Sequence, residues 1–378
     1  MRKITIENLG PIDGKFEMNL DKKLTILIGE QATGKSTIAR AAYFSMLTEC
    51  NETLDIIGQK NSSLEQHVDA VHKYFHRNYS IGSITYNSSK CTLSYNAESS
   101  NTVLSTPEVT AISKTGGEYP MYIPAGRSII PLLFESYAAA KNVNVDPFLD
   151  DFLLFLDNLR KDFTKPFAEV LKKNLDLTAI QHTEDVKKVV VSLIENILKG
   201  QYRCENGNEK IITKDNVSIP ITSASSGQQE CLYILIALLF VFCDIKGFTV
   251  IIEEPEAHLY PAAQKLFMEL LALIANNTYC RFIITTHSPY ILTSTNLLIH
   301  SAKVENNIND STIIVDSMKR IKPEDVSAFI LERNGEFSYR SIIDEETGLI
   351  KAEEIDKVSD IIDKGMSDLI KLEVNHGL

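Results

Sequence analysis

Apolar positions fall in short runs toward both ends of the chain and at helical spacing through its middle. Residues 3–7, 15–20 and 24–28 alternate or cluster at strand length, and a helix is predicted from Lys35 to about Thr48. Residues 51–78 read as helical, with Leu64, Val68, Val71 and Phe75 on one face. A hairpin is expected from 79–86 and 90–96, turning at 87–89, followed by a Ser/Thr-rich mobile loop over 99–117. Residues 121–123 form a short strand. From 128 to 200 the period is helical, with Phe148, Phe152, Phe155 and Leu156 aligned. No heptad pattern is sustained there as a coiled-coil arm would need. A second hairpin over 197–221 turns at 205–208 and leads into the apolar helix 231–243. Strands follow at 248–252, 281–285 and 313–315, then an amphipathic helix over 353–371 bearing Ile355, Val358, Ile362 and Leu369.

The strand at 24–28 runs into GEQATGKS, residues 29–36, a full G-x-x-x-x-G-K-[ST] match followed by a helix. In such a loop Gly29 and Gly34 let the backbone curl, so that amides of Glu30, Gln31, Ala32 and Thr33 face phosphate oxygens. Lys35 reaches the β- and γ-phosphates, Ser36 ligates Mg²⁺, and Thr37 continues the helix start, whose dipole favours anions. The strand at 248–252 ends in Glu253 and Glu254. An acid at a buried strand end is where such proteins hold Mg²⁺, here Glu253, and the next acid can orient and deprotonate the attacking water, here Glu254. His287, just past the strand at 281–285, can hydrogen-bond the γ-phosphate or that water.

Ser225, Ser226, Gly227 and Gln228 open the apolar helix. Two readings are open for them: an ordinary capping box between Ser225 and Gln228, or an anion site at a helix N-terminus. Their position, about 25 residues before Glu253, favours the second. Arg127, in a Pro-Ala-Gly-Arg-Ser turn, reads from the residues alone as a surface residue on that turn. His72 and His76 lie four apart without a carboxylate or cysteine cluster beside them, which reads as a surface pair rather than a metal site.

Taken together, residues 29–36, 225–228, 253–255 and 286–287 resemble the Walker A, signature, Walker B and switch-histidine elements of ABC-type ATPases. IxIENLGPI at 4–12, EEPEAHLYP at 253–261 and TTHSP at 285–289 bring the chain nearer to standalone ATPases similar to RecF, the structural-maintenance-of-chromosomes (SMC) proteins and the overcoming-lysogenisation-defect (OLD) proteins. The likeness covers about 1–50 and 200–300. It departs at Glu253, where an Asp is usual, at Ser226, where a Gly is usual, and at Gln31-Ala32, where Asn-Gly is usual. The resemblance implies an α/β fold, with a mixed β-sheet core, an antiparallel β lobe, an inserted α-helical lobe and no long coiled coil. It divides the chain into an N-terminal part of the nucleotide domain (1–125), the helical insertion (126–200), a C-terminal part (201–320) and an acidic helical tail (321–378). ATP and Mg²⁺ are the implied cofactors, and Arg127 is implied to lie near the nucleotide. It also implies a homodimer on ATP binding, DNA-related work in repair or anti-phage defence, and an effector on another polypeptide, since the residues after His287 are too short for a nuclease domain.

The chain's net charge of −12 is the wrong sign for a nucleic-acid-binding field, so DNA rests on the resemblance alone. No apolar run reaches 18 residues, no signal peptide opens the chain, and the six cysteines show no CxxC spacing; a cytoplasmic protein with reduced thiols and no membrane partner is expected. Two function classes remain: a hydrolysing ATP switch, and a scaffold whose ATP is a structural clasp without turnover. Glu254 and His287 favour turnover. The insert of about 190 residues between residues 36 and 225 disfavours a transporter subunit.

Overall fold

The computed structural model describes residues 1–56, 62–105, 119–137, 145–175, 183–244, 247–304, 315–354 and 364–369. The chain opens with β1 (Lys3–Glu7), β2 (Lys15–Asn19) and β3 (Leu24–Gly29), followed by α1 (Lys35–Ile56) and α2 (Ser62–Asn78). Strands β4 (Ser83–Asn87), β5 (Thr92–Asn96), β6 (Asn101–Ser105) and β7 (Tyr119–Ile123) come next. Helices α3 (Ile130–Tyr137), α4 (Pro147–Leu159), α5 (Phe167–Leu175) and α6 (Glu184–Leu198) form the insertion. Then come β8 (Gln201–Glu205), β9 (Asn208–Ile212), β10 (Ser218–Pro220), α7 (Ser226–Cys243), β11 (Phe248–Glu253), α8 (Pro261–Asn277), β12 (Arg281–Thr286) and α9 (Pro289–Val304). The last two strands are β13 (Val326–Asn334) and β14 (Glu336–Ser341).

A six-stranded sheet in the order β14-β13-β3-β12-β11-β7 is parallel except at β14, which pairs antiparallel with β13. Its central strands are apolar throughout because both faces are covered. Alternate residues divide between two cores. Leu27, Ile251, Ile283 and Leu331 face α1 and a five-stranded antiparallel sheet, β2-β1-β4-β5-β6. Ile26, Ile28, Ile252, Ile284 and Ile330 face the other core, where α7, α8 and α9 pack with the inserted helices. A small sheet, β10-β9-β8, leads into α7; its hairpin turns at Asn206-Gly207, both with positive φ, the backbone of a two-residue turn matched to strand twist.

This is the expected α/β fold, with mixed core sheet, antiparallel lobe and helical insertion; no described helix exceeds the 22 residues of α1. Several boundaries differ. Helix α1 runs to Ile56, beyond the expected end near 48, because its inner face stays buried through Leu47 and Cys50. Residues 101–105, expected in a loop, extend the antiparallel sheet as β6, while 106–117 lie outside the described residues. Residues 197–198 finish α6 rather than start the hairpin. The segment 321–378, expected as a helical tail, contributes β13 and β14 to the main sheet. Strand β13 carries Ser327, Glu332 and Arg333, so it lacks the unbroken apolar run of its neighbours; Ser327 is matched across the pairing by Thr25, with their hydroxyls 3.0 Å apart. Val315 is a buried bend, and 313–314 lie outside the described residues. Of the helix expected at 353–371, a single 3-10 turn (Ala352–Glu354) and helical residues 364–369 are described; 355–363 and 370–371 are outside.

The six cysteines are buried free thiols. One described helix, α7, is long and apolar enough to cross a membrane, and 72% of it is buried inside the protein. His72 meets Thr48 at 3.3 Å and packs on Phe44, and His76 packs on Tyr95; both belong to the α1–α2 contact with the β lobe.

Candidate functional site

Strands β3, β12 and β11 lie side by side and parallel, so the loops after them leave the same sheet edge. Ile28 pairs with Thr286, and Thr285 with Glu253. The segments 29–36, 286–287 and 253–254 therefore emerge next to one another, at the strand C-termini where parallel sheets hold ligands.

The loop after β3 is held by its own carbonyls. Thr33 Oγ1 donates to Glu30 O at 2.9 Å, and Lys35 Nζ donates to Gly29 O at 2.9 Å and Glu30 O at 2.6 Å. A Cβ on Gly29 would lie 2.3 Å from Leu331 O of β13, so no larger residue fits there without moving a core strand. Gln31, Ala32 and Ser36 are exposed, whereas Thr33, Lys35 and Thr37 are buried. Ala32 has φ 62, a conformation that costs an L-residue about 1–2 kcal/mol, which explains why glycine is usual at that place.

Glu254 sits in the turn after β11 with φ 44, its amide donating to Thr285 O at 3.0 Å. Its Oε1 is 3.5 Å from His287 Nε2. The histidine contact, aided by Lys35 and Arg127, holds the Glu254 carboxyl below the ordinary range against the opposing effect of burial. Glu256, which the sequence pattern did not single out, fixes the other side of this pair. Its Oε1 accepts from Thr286 Oγ1 and from the His287 amide, both at 2.7 Å.

Ser225 caps α7 through the full capping box, Gln228 N donating to Ser225 Oγ at 3.4 Å and Ser225 N to Gln228 Oε1 at 3.2 Å. Gln228 Nε2 also donates to Leu198 O at 3.0 Å. Ser225 and Ser226 remain exposed. A Cβ on Gly227 would come 2.6 Å from His258 O, so the start of α7 is seated on the turn that follows Glu254. The capping-box reading is thus realised, and it leaves the helix end open to solvent.

The family described as the AAA ATPase domain matches residues 127–292. That stretch, under half of the chain, is similar to an ATPase domain. Its motifs at 29–36, 253–261 and 285–289 resemble those of the SMC, RecF and OLD ATPases. The chain is 31% identical over 139 residues to the OLD nuclease of Thermus scotoductus, a stretch that covers 37% of this chain and 24% of that relative. The chain therefore spans about a quarter of the curated relative it matches. Among solved structures, the Smc head bound to the C-winged helix domain of ScpA aligns over 90% of this chain and 96% of that chain, at 13% identity and a TM-score of 0.45. The SMC head domain from Thermotoga maritima aligns over 90% and 98%, at 9% identity and a TM-score of 0.42.

Arg127 lies beside the candidate site, where the inserted helices join the nucleotide domain, with its guanidinium on the carbonyls of Glu253 and Glu254. It is fully buried, and its side chain makes four hydrogen bonds within the chain. Nε donates to Glu230 O at 3.0 Å, Nη1 to Pro124 O at 2.6 Å and Glu253 O at 2.7 Å, and Nη2 to Glu254 O at 2.9 Å; Nη2 also lies 3.4 Å from Glu230 Oε2. Sequence pattern could not find this role, because its acceptors come from three separate segments.

The residues present fit a divalent cation. Glu253 Oε2 accepts from Ala125 N at 3.3 Å, but its Oε1 is buried without a hydrogen-bond partner, in a residue only 4% exposed. A buried carboxylate oxygen lacking a donor suits a cation or its bound water, and oxygen ligands suit Mg²⁺.

Burial pushes the Lys35 ammonium down to about 8, against the attraction of Glu254, Glu256 and Glu253. Below that pH the nucleotide-free lysine is charged; above it the lysine is neutral until phosphates restore its proton. ATP binding is therefore expected to take up close to one proton at about pH 9 and almost none at about pH 7. Calorimetric titrations in two buffers of different ionisation enthalpy check this, and equal heats at the higher pH would contradict it.

Proposed function

We propose that the protein is a Mg²⁺-dependent ATP-hydrolysing switch that pairs with a second copy on ATP and serves DNA-related work, in repair or anti-phage defence, through a separate effector. The single observation that carries this reading is the shared sheet edge, with Lys35, Glu253, Glu254 and His287 at the ends of three adjacent parallel strands. Ser36 and Glu253 would hold Mg²⁺, whose charge, when bound, offsets that of the β- and γ-phosphates. Lys35 binds the phosphates. The ionised Glu254 accepts a proton from water as the water oxygen attacks the γ-phosphorus and the bond to the ADP oxygen breaks. His287, held by Glu256 through its amide, orients Glu254 and the water. Likeness to a protein described as a nuclease supports a nuclease-like partner, and the cytoplasm is the setting that fits these roles. Steady-state phosphate release from Mg-ATP tests hydrolysis directly: release no faster than from buffer alone would leave the clasp reading in its place.

Pairing has its own test. The exposed end of α7 presents its helix dipole, and the Ser225 hydroxyl once it turns from Gln228 Oε1, to which it donates at 3.0 Å, to a γ-phosphate on the opposite copy, in a twofold arrangement. Ser225→Arg loses the cap, worth about 1 kcal/mol, and overpacks the contact by about 1–3 kcal/mol. In a Glu254→Gln background with Mg-ATP the overpacking is expected to weaken the dimer by roughly 5- to 150-fold, while monomer binding of ATP is nearly unchanged. Light scattering reads this out, and equal dimerisation with and without Ser225→Arg would remove α7 from the interface.

A further inference from the structure

Arg127 stands where the inserted helices, α7 and the turn after β11 meet. It opens the 3-10 turn Arg127–Ile129 that leads directly into α3. Its amide donates to Glu230 Oε2 at 3.0 Å and the next amide, Ser128 N, to Glu230 Oε1 at 3.1 Å. Glu230 is itself buried, in the second turn of α7, five positions after the Ser225 cap. The same arginine then crosses to the carbonyls of Glu253 and Glu254. Glu254 is held at φ 44, a backbone state that a non-glycine residue keeps only when its surroundings impose it.

We propose that Arg127 is a positioning residue that couples the exposed N-terminal turn of α7 to the Glu254 turn, so that a contact made at residues 225–228 is transmitted to the carboxylate that activates water. The inference rests on the reading of Glu254 as the base. The physical basis is rigidity. Glu230 is gripped through both carboxylate oxygens and its own carbonyl, so a shift of α7 moves Arg127. A planar guanidinium carries that shift to two adjacent carbonyls at once, whereas a lysine ammonium is a point charge that cannot span them. The seating of Gly227 on His258 O gives the same two segments a second point of contact.

The test is a double-mutant cycle on the full chain. Arg127→Lys keeps a positive charge beside Glu230 but loses the fork. It is expected to lower kcat by roughly 10- to 10²-fold, the effect of an ångström-scale misplacement, with KM and ATP affinity within about twofold. In a Glu254→Gln background the same change is expected to alter the residual rate by less than about threefold, because the group it positions is already gone. Glu230→Gln leaves the bonds to Glu253 and Glu254 in place and loosens the link to α7, and is expected to follow the same pattern; it keeps the idea testable should Arg127→Lys fold poorly. If Glu254→Gln alone hydrolyses at the wild-type rate, the base assignment falls and the coupling with it. If Glu254→Gln is slow and Arg127→Lys slows it a further tenfold or more, or if ATP affinity falls in step with rate, the coupling alone is overturned and Arg127 is a structural clamp.

Discussion

Glu254→Gln is expected to bind Mg-ATP as wild type does and to hydrolyse it about 10²–10⁴ times more slowly, the usual loss when a positioned base is removed. The amide matches the carboxylate in shape, so the φ 44 turn and the 3.5 Å approach to His287 need not change. What changes is basicity. The Glu254 carboxyl is held below its ordinary range by His287, so at neutral pH it is ionised and can take a proton from water; glutamine cannot. Single-turnover phosphate release, set beside an ATP titration of the same sample, separates the two steps. A wild-type rate from the glutamine variant would remove Glu254 from the chemistry.

Lys35→Ala should do the reverse, with loss at the binding step. The ammonium is 6% exposed and tied to the carbonyls of Gly29 and Glu30, so it is a preset phosphate-facing charge rather than a mobile surface one. Deleting one member of a buried charge-assisted contact costs about 2–5 kcal/mol, which is ~30-fold or more in ATP affinity. The fold itself should not suffer much. A lysine whose proton is held less tightly in the folded than in the unfolded state costs stability below pH about 8, and that cost fades as pH rises through this value, so alanine relieves it at neutral pH. The expected signature is a nearly unchanged Tm without nucleotide and the loss of the upward shift that Mg-ATP gives the wild type. An ATP-induced shift equal to that of wild type would contradict it.

What the chain reveals before folding follows from where burial is complete. β3, β11 and β12 are covered on both faces, so they read as unbroken apolar runs and their ends mark the candidate site. The Ser225–Gln228 box is local, closed within four residues, and equally visible. β13 is not, because Ser327 is accommodated only by a partner, Thr25, some 300 residues away. The same holds for charge. Arg127 looks like a turn residue until its acceptors on Glu230, Glu253 and Glu254 are assembled around it. Glu256 looks like a surface acid until Thr286 and the His287 amide arrive.

The place of β3 bears on how the protein is made. Its backbone pairs with β12 on one side and β13 on the other, and the carbonyl of Leu331 closes over Gly29. A chain emerging from a ribosome presents the phosphate loop well before the strands that flank it, which arrive only after residue 280 and after residue 325. Until they do, β3 is an apolar strand with both edges open, the kind of segment that invites wrong pairings and chaperone attention. Nucleotide finds its cradle finished only once β13 has appeared, some 290 residues after the loop itself.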